Sequence, residues 1–238
     1  MAKYGILVDM NLCIGCKACA LSCKEVNNVP IGVSWLEVKE EVRSNGASVE
    51  LYTFPMGCLH CAEPSCAKVC PVKAITKEKD GTVQRDSEKC VGCRYCVSAC
   101  PFGQSHFDES SNKAEKCNLC IDRQAKGEAP ACTVNCPTQA RKAISLDKLK
   151  EEAAKRIAEA KKLGKSYQLF AGENVGGTQV AYIVPSGVYL SDGPEDRTKS
   201  TAVAVWQDMV KPVAKVGLGG VVGAVVVAGA LITLKKGE

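Results

Sequence analysis

The sixteen cysteines of this 238-residue chain fall into four groups of four. The first is Cys13, Cys16, Cys19 and Cys23, and the second is Cys58, Cys61, Cys66 and Cys70. The third is Cys90, Cys93, Cys96 and Cys100, and the fourth is Cys117, Cys120, Cys132 and Cys136. Three chemistries compete for them. A disulfide scaffold needs an exported chain, yet Met1 to Leu12 lacks a basic start, an apolar run and a cleavage site. Zinc suits paired C-x-x-C knuckles and has no need of a third cysteine three residues further on. Iron–sulfur chemistry explains the whole pattern. Cysteines at i, i+3 and i+6 wrap a loop around one face of a cubane, and the C-x-x-x-C step starts a helix that carries the fourth sulfur toward a second cubane.

The first and third groups are similar to the bacterial ferredoxin run, whose fourth cysteine ligates the neighbouring cluster. Pro71, Pro101 and Pro137 follow the last cysteine of three groups and discourage helical continuation; Lys24 stands there in the first group, a departure that touches backbone geometry and not ligation. No ligand is missing, so four [4Fe–4S] clusters are expected and no [3Fe–4S] centre. The elements that position the groups are readable too. Asp80-Gly81 between two β-forming runs predicts a hairpin joining the second and third groups into one two-cluster module. The first and fourth groups must then form the other module, with the middle one inserted between its halves.

Only 5% of the chain is aromatic, with four Phe and two Trp, so large side chains for a core are scarce. The formal charge of +5 would point to nucleic acid or acidic membrane partners. Four thiolate-bound clusters carry about −2 each, which reverses that sign and argues against nucleic acid. Lys17, Lys24, Lys89, Arg94 and Lys116 flank ligands and are expected to offset cluster charge, some of them as plain surface residues.

Residues from Tyr4 to about Ile144 resemble the iron–sulfur β-subunits of the molybdopterin oxidoreductase superfamily. The segments KYGILVDMNLCIGCKACALSCKEVNNVP, CLHCAEPSCAKVCPVKAI, KCVGCRYCVSACPFG and KCNLCIDRQAKGEAPACTVNCPTQA carry the likeness. The resemblance implies exchanged fourth cysteines. One cluster would then take Cys13, Cys16, Cys19 and Cys136, and its neighbour Cys23, Cys117, Cys120 and Cys132. The middle module would use Cys58, Cys61, Cys66 and Cys100, then Cys70, Cys90, Cys93 and Cys96. The expected fold is α+β: two bacterial-type 2[4Fe–4S] ferredoxin modules, one inserted in the other, plus a C-terminal transmembrane helix. The four-cluster domain spans 1–144, with an outer module of 1–30 and 110–144, a hairpin insertion at 31–54 and a middle module at 55–109. A peripheral helix and β-like docking tail fill 145–212, and a membrane anchor fills 213–238.

Val33 to Val42 and Ala47 to Phe54 predict a β-hairpin around Asn45-Gly46. His60 and His106 are surplus to ligation and read as packing residues. Ser145 to Lys162 predicts a helix stopped at Gly164, with an apolar stripe of Leu146, Leu149, Ala153, Ile157 and Ala160. Gly176-Gly177 lacks the strand–turn–helix context of a nucleotide loop and reads as a turn. The surrounding GGTQV segment resembles the tail of β-subunits from membrane-bound formate dehydrogenases and hydrogenases. Val216 to Leu234 holds nineteen residues without a charge, long enough at about 1.5 Å per residue for one membrane crossing. Gly219 and Gly223 have GxxxG spacing, and Trp206 suits the headgroup level.

No nucleophile, base or substrate pocket is visible, so the chain reads as a non-catalytic electron relay. The resemblance implies a molybdopterin-type catalytic partner, formate dehydrogenase first, and a membrane cytochrome b or quinone-binding subunit. It also implies a cluster domain on the extracytoplasmic face, exported with its catalytic partner. A membrane-bound hydrogenase, a polysulfide- or thiosulfate-type reductase and a free polyferredoxin carrier are the alternatives.

Overall fold

The computed structural model describes residues 4–44 and 49–187. They belong to one compact unit, Met1–Thr198; the second unit, Lys199–Glu238, lies outside the described residues. In chain order the elements are β1 (Gly5–Asp9), α1 (Ala18–Val26), β2 (Leu36–Ser44), β3 (Val49–Gly57) and α2 (Ser65–Lys68). Then come β4 (Ile75–Lys77), β5 (Val83–Arg85), α3 (Tyr95–Ala99), β6 (His106–Asp108) and β7 (Lys113–Glu115). The last are α4 (Ile121–Ala125), α5 (Ala131–Val134), β8 (Arg141–Ile144), α6 (Leu149–Lys162), β9 (Tyr167–Phe170) and β10 (Val180–Pro185).

β1 precedes the first cysteine group and β8 follows the fourth, and the two pair antiparallel with Leu7 opposite Lys142. Near them α1 packs on α5. Between these halves, β4 and β5 form the hairpin expected at Asp80-Gly81, and α2 packs on α3. The pseudo-repeat follows from the local sequence: each C-x-x-x-C step is too short for a long helix, and three of the four stop at Cys-Pro.

β1 is apolar at every position from Ile6 to Val8 because both its faces are covered. Ile6 and Val8 point to the cysteine-bearing side, with Val180, Tyr182 and Val184 of β10. Leu7 points the other way, with Ala181 and Ile183, onto Leu149 and Ala153 of α6. The alternation is the period-two geometry of a strand applied to two buried faces. α6 buries Leu149, Ala153 and Ala160, and its end is turned by Gly164 in the left-handed region at φ 74°. Leu146, expected in the apolar stripe, is instead 41% exposed, because it lies in a short 3-10 turn before the helix proper.

Three features differ from the reading of the sequence. The tail expected to lie peripherally supplies β10, which pairs parallel with β1 at the centre of a four-stranded sheet ordered β8-β1-β10-β9. Its run Val180–Pro185 is buried throughout, as a strand covered on both faces requires. The boundary placed between 109 and 110 cuts a hairpin, since β6 pairs antiparallel with β7. The insertion hairpin is displaced two to three residues toward the C-terminus from its expected bounds, pairing Leu36 with Gly57 and Ser44 with Val49, so β3 crosses the boundary placed at 54; its turn lies outside the described residues. The anchor at 213–238 also lies outside them. Among the described residues no helix is long and apolar enough to cross a membrane.

Tyr182 is fully buried, and its hydroxyl donates to the Pro55 carbonyl at 3.0 Å, tying the sheet to β3. Tyr182→Ala removes that bond and a large aromatic volume, so a loss of roughly 3–5 kcal/mol is expected. The measurement is the thermal midpoint of the cluster-loaded chain, followed by circular dichroism.

Candidate iron–sulfur centres

Each cysteine group opens on one repeated backbone turn. The residue just before the second cysteine is left-handed in all four: Gly15 (φ 69°), His60 (φ 52°), Gly92 (φ 72°) and Leu119 (φ 57°). Glycine does this without strain, whereas His60 and Leu119 are held there by complete burial. Lys17 and Arg94 are left-handed as well, directly after Cys16 and Cys93. A second shared turn follows the fourth cysteine. Lys73, Gly103 and Gln139, each three residues past the cysteine of a Cys-Pro pair, are left-handed. Their N–H groups donate back to the carbonyls of Cys70, Cys100 and Cys136.

These turns aim backbone N–H groups at sulfur. Ala74 N–H donates to Cys70 Sγ and Gln104 N–H to Cys100 Sγ, both at 3.2 Å. Leu119 N–H reaches Cys117 Sγ and Arg141 N–H reaches Cys136 Sγ, both at 3.3 Å. In the first group, where Lys24 replaces proline, α1 continues to Val26 and a side chain takes over. The Asn27 amide lies 3.8 Å from Cys23 Sγ and 3.7 Å from Cys120 Sγ.

All sixteen cysteines are free of disulfides, and cysteines from different groups come together. Cys13, Cys16, Cys19 and Cys136 line one cavity. Cys23 feels the charge of Cys132, Cys120 and Cys19, and Cys117 that of Cys23, Cys58 and Cys120. Cys61 has Cys58, Cys66 and Cys100 around it. Cys70, Cys90, Cys93 and Cys96 line a second cavity. Among the described residues no three His, Cys, Asp or Glu side chains converge on a single metal ion. The first and last quartets ring volumes instead.

Burial raises the thiols because a buried thiolate loses its water. Desolvation pushes Cys19 up to about 11 and Cys23 and Cys66 up to about 12, with neighbouring cysteines adding to the effect. Cys61, Cys100 and Cys117 are raised for the same reason. A bare thiol here keeps its proton, and iron must displace it.

The flanking cations divide by location. Lys24 is tied to the Pro30 and Val33 carbonyls, Lys89 pairs with exposed Asp86, and Arg94 pairs with Glu109 and stacks on Phe107. Lys116 is 3% exposed and sits among the sulfurs, lowering Cys66 and Cys117. Arg141 does the same for Cys19 and Cys23. Sequence reasoning missed Arg141; its one signal was a basic residue at the start of β8, five residues past Cys136. His60 packs as expected, fully buried and accepting the Val83 N–H on Nδ1 at 2.9 Å. His106, in β6, is half-buried.

Two family models match, each described as a 4Fe-4S dicluster domain, over residues 49–145 and 12–74. The formate dehydrogenase iron-sulfur subunit of Haemophilus influenzae is 36% identical over 237 residues, covering 90% of this chain and 76% of the relative. The chain therefore belongs to the family of iron–sulfur subunits of the molybdopterin oxidoreductases. Other family members include the formate dehydrogenase-O iron-sulfur subunit of Escherichia coli, 36% identical over 240 residues, with 92% of this chain and 80% of the relative covered. A subunit of the anaerobic dimethyl sulfoxide reductase of Escherichia coli is 37% identical over 158 residues, with 63% and 77% covered.

As a member of this family the chain is an electron-transfer subunit holding four [4Fe–4S] clusters. The donor set fits that group: sixteen free thiols, some converging in two cavities, N–H groups aimed at sulfur, and buried positive charge beside them.

A Cβ at Gly92 would lie 2.5 Å from the Asn112 carbonyl oxygen, and φ is +72°. Gly92→Ala is therefore expected to cost about 1–3 kcal/mol from backbone strain alone. Iron loss on mild heating should rise relative to Gly32→Ala, which shares the positive-φ strain at φ +85° but whose added Cβ meets nothing within 4 Å.

Proposed function

We propose that the four quartets form one relay in the order Cys13, Cys23, Cys58, Cys70, each named by its first cysteine. The observation that carries the order is the succession of cysteines that act on one another electrostatically across quartets. Cys19 neighbours Cys132, Cys117 neighbours Cys58, and Cys66 neighbours Cys96. In this reading Cys13, Cys16, Cys19 and Cys136 hold the first cluster, and Cys23, Cys117, Cys120 and Cys132 the second. Cys58, Cys61, Cys66 and Cys100 hold the third, and Cys70, Cys90, Cys93 and Cys96 the fourth. Each cluster, when bound, supplies reversible one-electron exchange. The protein's part is to bury the inner sulfurs, aim donors at them and leave the two ends accessible.

Exposure supports those ends. Cys16 and Cys93 are the two exposed cysteines, one in each terminal quartet. Beside them stand exposed apolar side chains, Ile14 at one end and Val91 and Tyr95 at the other. Such residues suit docking of a partner that brings its own redox centre close.

The partner at one end is, in this proposal, a molybdopterin catalytic subunit that oxidises formate, since several relatives are named for formate dehydrogenase. The chain itself does no bond-making chemistry. At the other end a membrane cytochrome b or quinone-binding subunit takes up the electrons. The uncharged stretch 216–234 anchors the chain in the cell membrane, with the quartets on the extracytoplasmic face. A dimethyl sulfoxide reductase-type complex is the second reading, favoured by the relatives of that name.

Exchange of fourth cysteines is tested with Cys136→Ser, Cys16→Ser and Cys23→Ser in the full chain. Under the crossed assignment the first two alter the same EPR signal and the third alters another. Identical spectra for Cys136→Ser and Cys120→Ser would reject it.

The complex is tested by purifying the chain from its own membranes with its bound subunits. Formate is expected to bleach the cluster absorption within the mixing time, and dimethyl sulfoxide to leave reduced clusters unchanged. Deleting 216–238 should release the chain with its catalytic subunit into the soluble fraction, away from the membrane subunit, while formate still bleaches it. A deletion variant that stays in the membrane counts against the anchor.

A further inference from the structure

Two cations among the described residues are buried where full burial of a charge demands a partner. Arg141 is 3% exposed, as is Lys116. An unpaired buried charge is costly, so each is held for a reason. Neither has a carboxylate partner among the described ion pairs. Their negative surroundings are cysteine sulfurs.

Arg141 opens β8 and lines the cavity ringed by Cys13, Cys16, Cys19 and Cys136. One guanidinium nitrogen reaches the Pro55 carbonyl at 3.5 Å, the same oxygen that takes the Tyr182 hydroxyl. Its Nε is buried and has no hydrogen-bond partner. The side chain faces Cys132 and Cys19, one from each of the first two quartets. Lys116 stands at the next junction. Its ammonium donates to the carbonyls of Val83 and Cys117, and it acts on Cys117 of the second quartet and on Cys66 and Cys100 of the third. At the fourth quartet the neighbouring cations are Arg94, which is exposed, and Lys113, which is half-buried on the Cys90 carbonyl.

We infer that Arg141 and Lys116 are positioning charges of the relay, one at each of its first two junctions, that raise the reduction potentials of the clusters they adjoin. A reduced cluster carries one more negative charge than an oxidised one, and a buried cation stabilises the reduced form more. Water and salt screen surface lysines, whereas these two are shielded from both. A cation between two clusters also reduces the penalty that an electron on one imposes on its neighbour. The fourth cluster, served by surface cations, therefore keeps a lower potential than its own sulfur environment would have beside a buried charge. The inference rests on the crossed quartets proposed above.

The test is EPR-monitored potentiometry on the full chain in its complex, with each signal assigned by the Cys→Ser variants. Arg141→Gln is expected to retain four clusters and shift the reduction equilibrium of the first and second about tenfold toward oxidised, or ~59 mV. The fourth should stay where it was. Lys116→Gln should do the same to the second and third. Arg141→Lys, which restores the charge, should recover most of the shift; a merely structural arginine would predict lost iron and unmoved potentials. Four retained clusters with no shift overturn the inference and leave the quartets standing. So does a uniform shift of all four, which would mark a long-range charge effect. A shift confined to the signals assigned to Cys58 and Cys70 in Arg141→Gln would instead overturn the quartets. If Arg141→Gln fails to load its clusters, Lys116→Gln decides, and an unmoved third cluster overturns the inference.

Discussion

Sulfur taken out of water is the constraint on which this structure depends. A buried thiol packs like a small apolar side chain, but a buried thiolate is costly unless something replaces its solvent. The raised Cys19, Cys23 and Cys66 thiols express that cost. Three things meet it: iron in place of the proton, N–H groups turned toward Sγ, and the two buried cations. The left-handed residues after the Cys-Pro pairs, and Leu119 before Cys120, turn those N–H groups inward. Backbone conformation here is part of the electrostatics.

The same constraint explains how so few aromatics suffice. The cysteine-bearing side of the sheet is packed by Ile6, Val8, Val180, Tyr182 and Val184 with Cys19, Cys23 and Cys132 among them. Metal-bound sulfur thus fills space that a larger core would give to Phe or Trp, and folding and iron binding become coupled. The opposite side is an ordinary core, Leu7, Ala181 and Ile183 against α6. β1 and β10 are the seam between the two, which is why both strands are apolar on both faces.

Ligand chemistry was legible in the sequence because spacing along the chain is itself the signal. The β4–β5 hairpin was legible for a similar reason, its Asp-Gly turn being local. What escaped were long-range facts. The pairing of Val180 with Ile6 spans nearly the whole described chain, and parallel strands leave no turn to mark them. His60 and Leu119 hide their left-handed turns, since only glycine advertises one. Arg141 looked like any basic residue on a strand, and only the placement of Cys132 and Cys19 around it gives it a role.

Lys24 shows how a departure from a repeat can carry the design. Proline after the fourth cysteine ends the helix and frees a backbone N–H to return to sulfur, as at Cys70 and Cys100. Without it α1 runs on to Val26, and Cys23 would be left short of a donor. Asn27 supplies one, and its amide also reaches Cys120 from the fourth group. A backbone donor can serve only its own local turn, whereas a side-chain amide at the end of a longer helix can span two distant segments. The missing proline therefore does more than change local geometry. It puts one polar group where the first and fourth cysteine groups meet, at the junction that a chain with an inserted middle must hold closed.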